Sequence, residues 1–173
     1  MDALDAILSR RSIRQYTAEP VPEEAVRTLL EAAMSAPSAG DERPWQFVVI
    51  TDRRKLDEIP RIHPYAKMVQ EAPVAILVCG DERLEKHKGF WVQDCSAAVQ
   101  NVLIAARALG LGAVWCGVYP REARVAGFRE LLGLPPEVIP LALVPVGWPA
   151  EEKPPGERFD ERRVRYDRWE RTG

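Results

Sequence analysis

An α+β domain is the fold class this sequence predicts, and three features carry the prediction. Val74-Ala75-Ile76-Leu77-Val78-Cys79 is apolar at every position, the pattern of a strand covered on both faces. Asp94 to Leu109 is apolar nearly all round at helical spacing. Such a helix is either the centre of a core or part of a large subunit interface. Shorter amphipathic helices and apolar strand-like runs surround these two, separated by proline and glycine. At 173 residues the chain has the size of one domain with a real core.

Taken in order, residues 2–9 place Leu4, Ile7 and Leu8 on one helical face, with Asp2 as the cap. Tyr16 to Pro22 is a connector. Pro22 opens a helix whose Val26, Leu29, Leu30 and Ala33 fall on one face, and which stops before Pro37. Gln46 to Ile50 reads as a strand. Asp52 caps a short helix through Ile59, a loop covers Pro60 to Pro64, and a brief helix lies near Tyr65 to Glu71. After the Val74–Cys79 strand comes the long helix, closed by Gly110. Ala113 to Val118 reads as one strand, Arg121 to Leu132 as a helix closed by Gly133, and Ile139 to Gly147 as a last strand. Pro140 and Pro145 demote that strand toward an edge or a bulge. From Trp148 the tail is proline-rich and then charged, with Phe159, Val164, Tyr166 and Trp169 scattered along it. It is either disordered or laid on a surface outside its own domain; exposed aromatics favour docking.

Composition narrows the function. A formal net charge of −2 argues against a general nucleic-acid binder. Cys79, Cys95 and Cys116 lie in apolar surroundings without C-x-x-C spacing, as buried reduced thiols do. His63 and His87 lack partners at ligand spacing, so no metal site is expected. The first helix lacks a signal-peptide pattern and no apolar run is long enough to span a bilayer, so a cytoplasmic location and no membrane partner are expected. Gly110-Leu111-Gly112 follows a helix and precedes a strand, the reverse of a dinucleotide fingerprint.

Two stretches carry chemistry. Arg10-Arg11-Ser12-Ile13-Arg14 places three guanidinium groups and a hydroxyl within five residues. Guanidinium forks match phosphate oxygens; a solvated charge run at a helix C-terminus accounts for them as well. Ala36-Pro37-Ser38-Ala39-Gly40-Asp41-Glu42-Arg43-Pro44-Trp45-Gln46-Phe47 joins turn formers to an aromatic that enters a strand. Together with Tyr65–Pro73, Gly110–Gly117, Gly147-Trp148-Pro149 and the tail containing Arg158, these stretches resemble the nitroreductase-like family of FMN-dependent oxidoreductases.

The resemblance implies a mainly antiparallel central sheet flanked by helices, in a homodimer with FMN at the interface. It makes residues 1–149 the FMN-binding domain and 150–173 an extension, part of the same domain fold, that wraps the partner subunit. Arg10, Ser12 and Arg14 would hold the FMN phosphate and ribityl chain, with Arg11 adding a contact and Arg158 a further phosphate ligand. Pro37, Ser38 and Ala39 would lie along the flavin from the other subunit. Trp115, Cys116 and Gly117 would line the other face, with the Gly117 N–H at flavin N5, and Lys67 would stand near the pyrimidine edge. The reaction implied is hydride transfer from NADH or NADPH to a small electrophile such as a nitroaromatic, quinone or flavin, with ping-pong kinetics. The alternatives are a flavin-binding storage or regulatory protein without turnover, and a specialised relative such as a reductive dehalogenase or flavin-fragmenting enzyme. Asp41 and Arg43 depart from the family pattern; Asp41 either faces the flavin and lowers its potential, or pairs with Arg43 in solvent. His63-Pro64-Tyr65 is either a lid or, on the plainer reading, a surface loop.

Overall fold

The computed structural model describes residues 1–169. Its sheet has the order β1-β2-β5-β3, with β4 on the same edge of β5 as β3, and every pairing is antiparallel. β1 (Trp45–Ile50) pairs with β2 (Val74–Asp81) from Trp45↔Gly80 to Ile50↔Ala75. Every residue of β2 is buried, because helices cover both faces. Val74, Ile76 and Val78 join Ala142, Val144 and Val146 of β5 (Val138–Gly147) beneath α2 (Glu23–Met34) and α4 (Trp91–Ala108). Ala75, Leu77, Cys79 and Leu143 face the other way, onto Leu56 and Ile59 of α3 (Arg53–Ile62) and Phe128 of α5 (Glu122–Leu132). The strand's alternation splits one apolar run between two cores. Each aliphatic side chain so buried contributes roughly 1.5–3 kcal/mol.

The two prolines of β5 do not make it an edge. Pro140 sits where the pairing with β2 shifts, Val78 facing Ala142 and Cys79 facing Pro140. Leu141 is the extra residue of that bulge, and its carbonyl accepts from Val118 and Tyr119 on the opposite side. Pro145 explains why the expected Ala113–Val118 strand is two pieces. β3 (Gly112–Ala113) and β4 (Cys116–Gly117) keep one register, Ala113↔Val146 and Cys116↔Leu143. That register puts Pro145 opposite Val114, where the ladder needs an N–H that proline lacks. Its carbonyl instead accepts from the Tyr16 hydroxyl at 3.3 Å.

Helix boundaries differ from the local signals in two places. α3 runs through Pro60 to Ile62 and does not stop at Ile59. α4 begins at Trp91, not Asp94, because the Glu85 carboxylate accepts from the Gly89 and Trp91 amides at 2.7 and 3.1 Å. A cap supplied from outside the helix leaves no mark at the helix start. α1 (Ala3–Ser9) buries only Ala6 and packs on α4. Its apolar face is open, with Leu4 69% and Leu8 70% exposed.

Candidate functional site

After Ser9 the chain leaves α1 and runs along the open side of β3, where the Ile13 amide donates to the Ala113 carbonyl at 3.1 Å. Ile13 lies directly over Gly112, and a Cβ there would sit 2.6 Å from Ile13 Cγ2. That close approach seats Ile13 inward and fixes the register of its polar neighbours. The start of the tail holds the segment from outside. The Ala150 amide donates to the Gln15 carbonyl at 2.9 Å, Lys153 Nζ to the Ser12 carbonyl at 2.9 Å, and the Arg14 amide to Glu151 Oε1 at 2.5 Å. Arg11 donates to the Pro154 carbonyl. Residues 150–154 thus bond to their own chain. The exposed aromatics come later, with Phe159 at 86%, Tyr166 at 83% and Trp169 at 80%. The last stretch of the expected extension, 170–173, lies outside the described residues.

This packing brings together charges far apart in sequence. Burial, then Arg158, then Arg11 hold the Arg10 guanidinium below its ordinary pKa. Arg11 and Arg158 both border Gly156. No ion pair among the described residues includes Arg10, Arg11, Arg14 or Arg158, and Arg10 Nε is buried with no acceptor. Guanidinium groups cannot relieve such crowding by losing a proton. The cluster therefore lacks an anion. A cavity of about 780 Å3 adjoins it, lined by Arg10, Arg11, Arg107 and Lys153 together with Glu151 and Glu152.

Trp115, Cys116 and Gly117 form a separate edge that does not line this cavity. Trp115, freed from the ladder, is 38% exposed, whereas Cys116 is buried. Cys116 Sγ lies 3.9 Å from Met68 Sδ, next to the exposed Lys67. Burial pushes the Cys116 thiol up to about 11, with Arg14 and Arg124 pulling the other way; it stays protonated and unreactive at neutral pH. A Cβ on Gly117 would meet nothing within 4 Å, so space is open above that backbone. The Val118 amide points at β5. Alternation along the strand leaves the Gly117 N–H and C=O on the outer edge.

His63 corrects the surface-loop reading. It is 3% exposed, while Tyr65 is 78% exposed. His63 Nε2 lies 2.9 Å from the Gly117 carbonyl oxygen, and Arg124 donates to that same oxygen at 2.7 Å. Nothing in the local sequence marks Arg124, which sits in the first turn of α5 and reaches the site only through the fold.

The 37–43 loop is held by a buried carboxyl pair. Asp94 Oδ1 accepts from the Ala39 amide at 3.1 Å, and Glu42 Oε2 accepts from the Lys86 and His87 amides at 2.7 and 2.9 Å. Their other oxygens, Glu42 Oε1 and Asp94 Oδ2, are buried without a hydrogen-bond partner, and the two carboxyls shift each other's titration. Burial raises the Asp94 pKa; it also pushes Glu42 up, but the His87 and Lys86 amides outweigh it and leave Glu42 low. One proton shared by the pair satisfies both. Ser38 Oγ accepts from the Arg43 amide at 3.0 Å, and Pro37 is exposed. Asp41 and Arg43 pair with each other at 2.6 and 2.9 Å, largely in solvent. Among the described residues no group of three or more His, Cys, Asp or Glu side chains is arranged to hold a metal, and no helix is long and apolar enough to cross a membrane.

The sequence model of the nitroreductase family matches residues 7–67 and 60–148. A provisionally named NADH dehydrogenase/NAD(P)H nitroreductase of Methanothermobacter thermautotrophicus is 55% identical over 169 residues, covering 98% of this chain and 88% of that one. The crystal structure of a protein so named from Bacteroides thetaiotaomicron superposes with a TM-score of 0.93 at 45% identity, over 96% of this chain and 98% of that one. A provisionally named nitroreductase from Desulfovibrio desulfuricans, solved in complex with FMN, has a TM-score of 0.85 at 35% identity, over 98% and 99% of the two chains.

Proposed function

Because the chain belongs to the nitroreductase family, we propose that it is an FMN-dependent oxidoreductase that uses NADH or NADPH to reduce a small electrophile. The observation that carries the proposal is the Arg10–Arg11–Arg158 cluster, three cations in no ion pair among the described residues and one orphaned buried Nε. A phosphate monoester is the anion that suits it, with up to two charges and several acceptor oxygens. The donor set and the open space above Gly117 therefore fit FMN. When bound, FMN supplies the hydride chemistry through its ring.

The chain's own residues bind, orient and exclude water. Arg10, Arg11 and Arg158 hold the phosphate, and Ser12 and Arg14 continue the grip along the ribityl chain. Gly117, lacking a side chain, lets the ring approach its backbone, and its N–H is the donor assigned to N5. Lys67 is the cation assigned to the pyrimidine edge, and Trp115 and Cys116 line the ring. Pro37, Ser38 and Ala39 complete the site from a second subunit. Exposure of Leu4, Leu8 and the tail aromatics supports that homodimer, because a single chain leaves these apolar groups in water. With one open face, NAD(P)H and acceptor take turns, which gives ping-pong kinetics. A cytoplasmic enzyme meets both co-substrates.

The test is direct. The purified protein should be yellow and release FMN on denaturation. It should also oxidise NADH or NADPH with menadione or a nitroaromatic, giving parallel double-reciprocal lines. A colourless protein that stays colourless with excess FMN would end the proposal. A yellow protein reduced without turnover would make it a flavin-binding protein instead.

A further inference from the structure

Two groups that the proposed reaction does not use, His63 and Arg124, converge on one atom of the candidate site. The Gly117 carbonyl oxygen lies 2.9 Å from His63 Nε2 and 2.7 Å from the donating Arg124 Nη1. His63 Nδ1 is buried with no partner. This selects the tautomer: a bare Nε2 would set two lone pairs 2.9 Å apart, so Nε2 carries the proton and donates to the carbonyl. Burial, then the adjacent Arg124, holds the His63 pKa below its ordinary value, which keeps the ring neutral. The Arg124 guanidinium lies 3.3 Å from Nε2 and 5.7 Å from the Tyr65 ring centroid. Its acceptor is thus the carbonyl, with an imidazole and an aromatic face beside it and no ion pair to a carboxylate among the described residues.

We propose that His63 and Arg124 are positioning residues that clamp the Gly117 carbonyl and so hold this glycine, whose N–H is assigned to the flavin, in one backbone conformation with a cation beside it. The inference rests on the reading that this N–H faces bound FMN. A carbonyl has two lone pairs, and the clamp fills both. Glycine has the widest backbone freedom of any residue, so both peptides flanking Gly117 have to be fixed: the Cys116–Leu143 pairing holds the one bearing its N–H, and the clamp, with the Val118 bond to Leu141, holds the one bearing its C=O. N–H and C=O of one strand residue leave the same edge. Two donors on the oxygen therefore help keep Gly117 extended, with its N–H on the outer edge, while leaving the space above it clear. The Arg124 charge is held at this edge and favours added negative charge beside it.

Four single variants of the full-length protein test the clamp: Arg124→Ala, Arg124→Gln, His63→Phe and His63→Gln. Glutamine keeps an N–H donor near each lost one, without the charge in the case of Arg124. In FMN-loaded protein, Arg124→Ala and His63→Phe should each shift the two-electron reduction equilibrium about tenfold toward the oxidised form, which is roughly 30 mV in midpoint potential. FMN affinity should change less than about threefold, since the phosphate grip lies elsewhere. His63→Gln should recover most of the potential and Arg124→Gln about half. In flavin-free protein, the Gly117 amide resonance should be sharp in the parent and broadened or multiple in Arg124→Ala, a readout that stands even if a variant loses FMN. Unchanged potentials and an unchanged Gly117 resonance, whatever happens to thermal stability, would overturn the clamp and leave the FMN reading intact. A parent protein that takes up no FMN would overturn both.

Discussion

Arg10, Arg11 and Arg158 crowd three cations near the surface, while Glu42 and Asp94 crowd two carboxyls under the 37–43 loop. The carboxyl pair completes itself, because a carboxyl can keep a proton and become a donor to its neighbour. The arginines have no such recourse, since a guanidinium stays charged at any accessible pH. The first cluster is therefore the one proposed to take a ligand, and the second holds the loop without one. Like charges in proximity mark a binding site only when their own chemistry cannot neutralise them.

The largest effect that would sharpen this contrast comes from the arginines. Arg10→Ala and Arg158→Ala should each weaken FMN binding about 10- to 100-fold, as a charge-assisted bond of roughly 1.5–3 kcal/mol requires. Without FMN, each should leave the thermal midpoint unchanged or slightly raised, because repulsion is relieved. Calorimetric titration and thermal melts check both halves; lower stability without FMN would mean the arginines are structural. Next comes Gly112→Ala, which pushes a methyl into Ile13. It should cost about 1–3 kcal/mol of stability and weaken FMN binding as well, since Ile13 sets where Arg10 to Arg14 lie. Denaturant melts with and without FMN separate the two losses.

The carboxyl pair predicts a smaller, pH-dependent effect. Burial raises the Asp94 pKa above its unfolded value, so its contribution is fully present at low pH and is lost as pH rises through the folded value. Glu42 is shifted the other way, and its contribution is lost as pH falls through its folded value. Asp94→Asn supplies a permanent neutral partner and should abolish the decline on the alkaline side only. Urea melts across pH would show it, and an unaltered profile would mean that no proton is shared. The smallest effect belongs to Asp41→Asn. Asp41 pairs with Arg43 in solvent, and exposed pairs contribute little. Stability should not change measurably, and a redox titration with an unchanged midpoint would exclude a role for Asp41 at the flavin.

Sequence alone determined the elements whose causes are local. Val74 to Cys79 could only be a strand covered on both faces, and Gly133 ends α5 with a left-handed cap. The arginines of residues 10–14 were legible as a candidate anion site beside the alternative of a solvated charge run, because residue type and proximity carry that chemistry without knowledge of the fold. What only the tertiary structure decided depended on partners distant in the chain. Glu85 reaches across to start α4 at Trp91, and Pro145 divides the strand opposite it. The buried His63 and the unmarked Arg124 meet on the Gly117 carbonyl. A carbonyl shows in sequence neither its direction nor its donors; those are fixed only when the strand, the loop and α5 pack together.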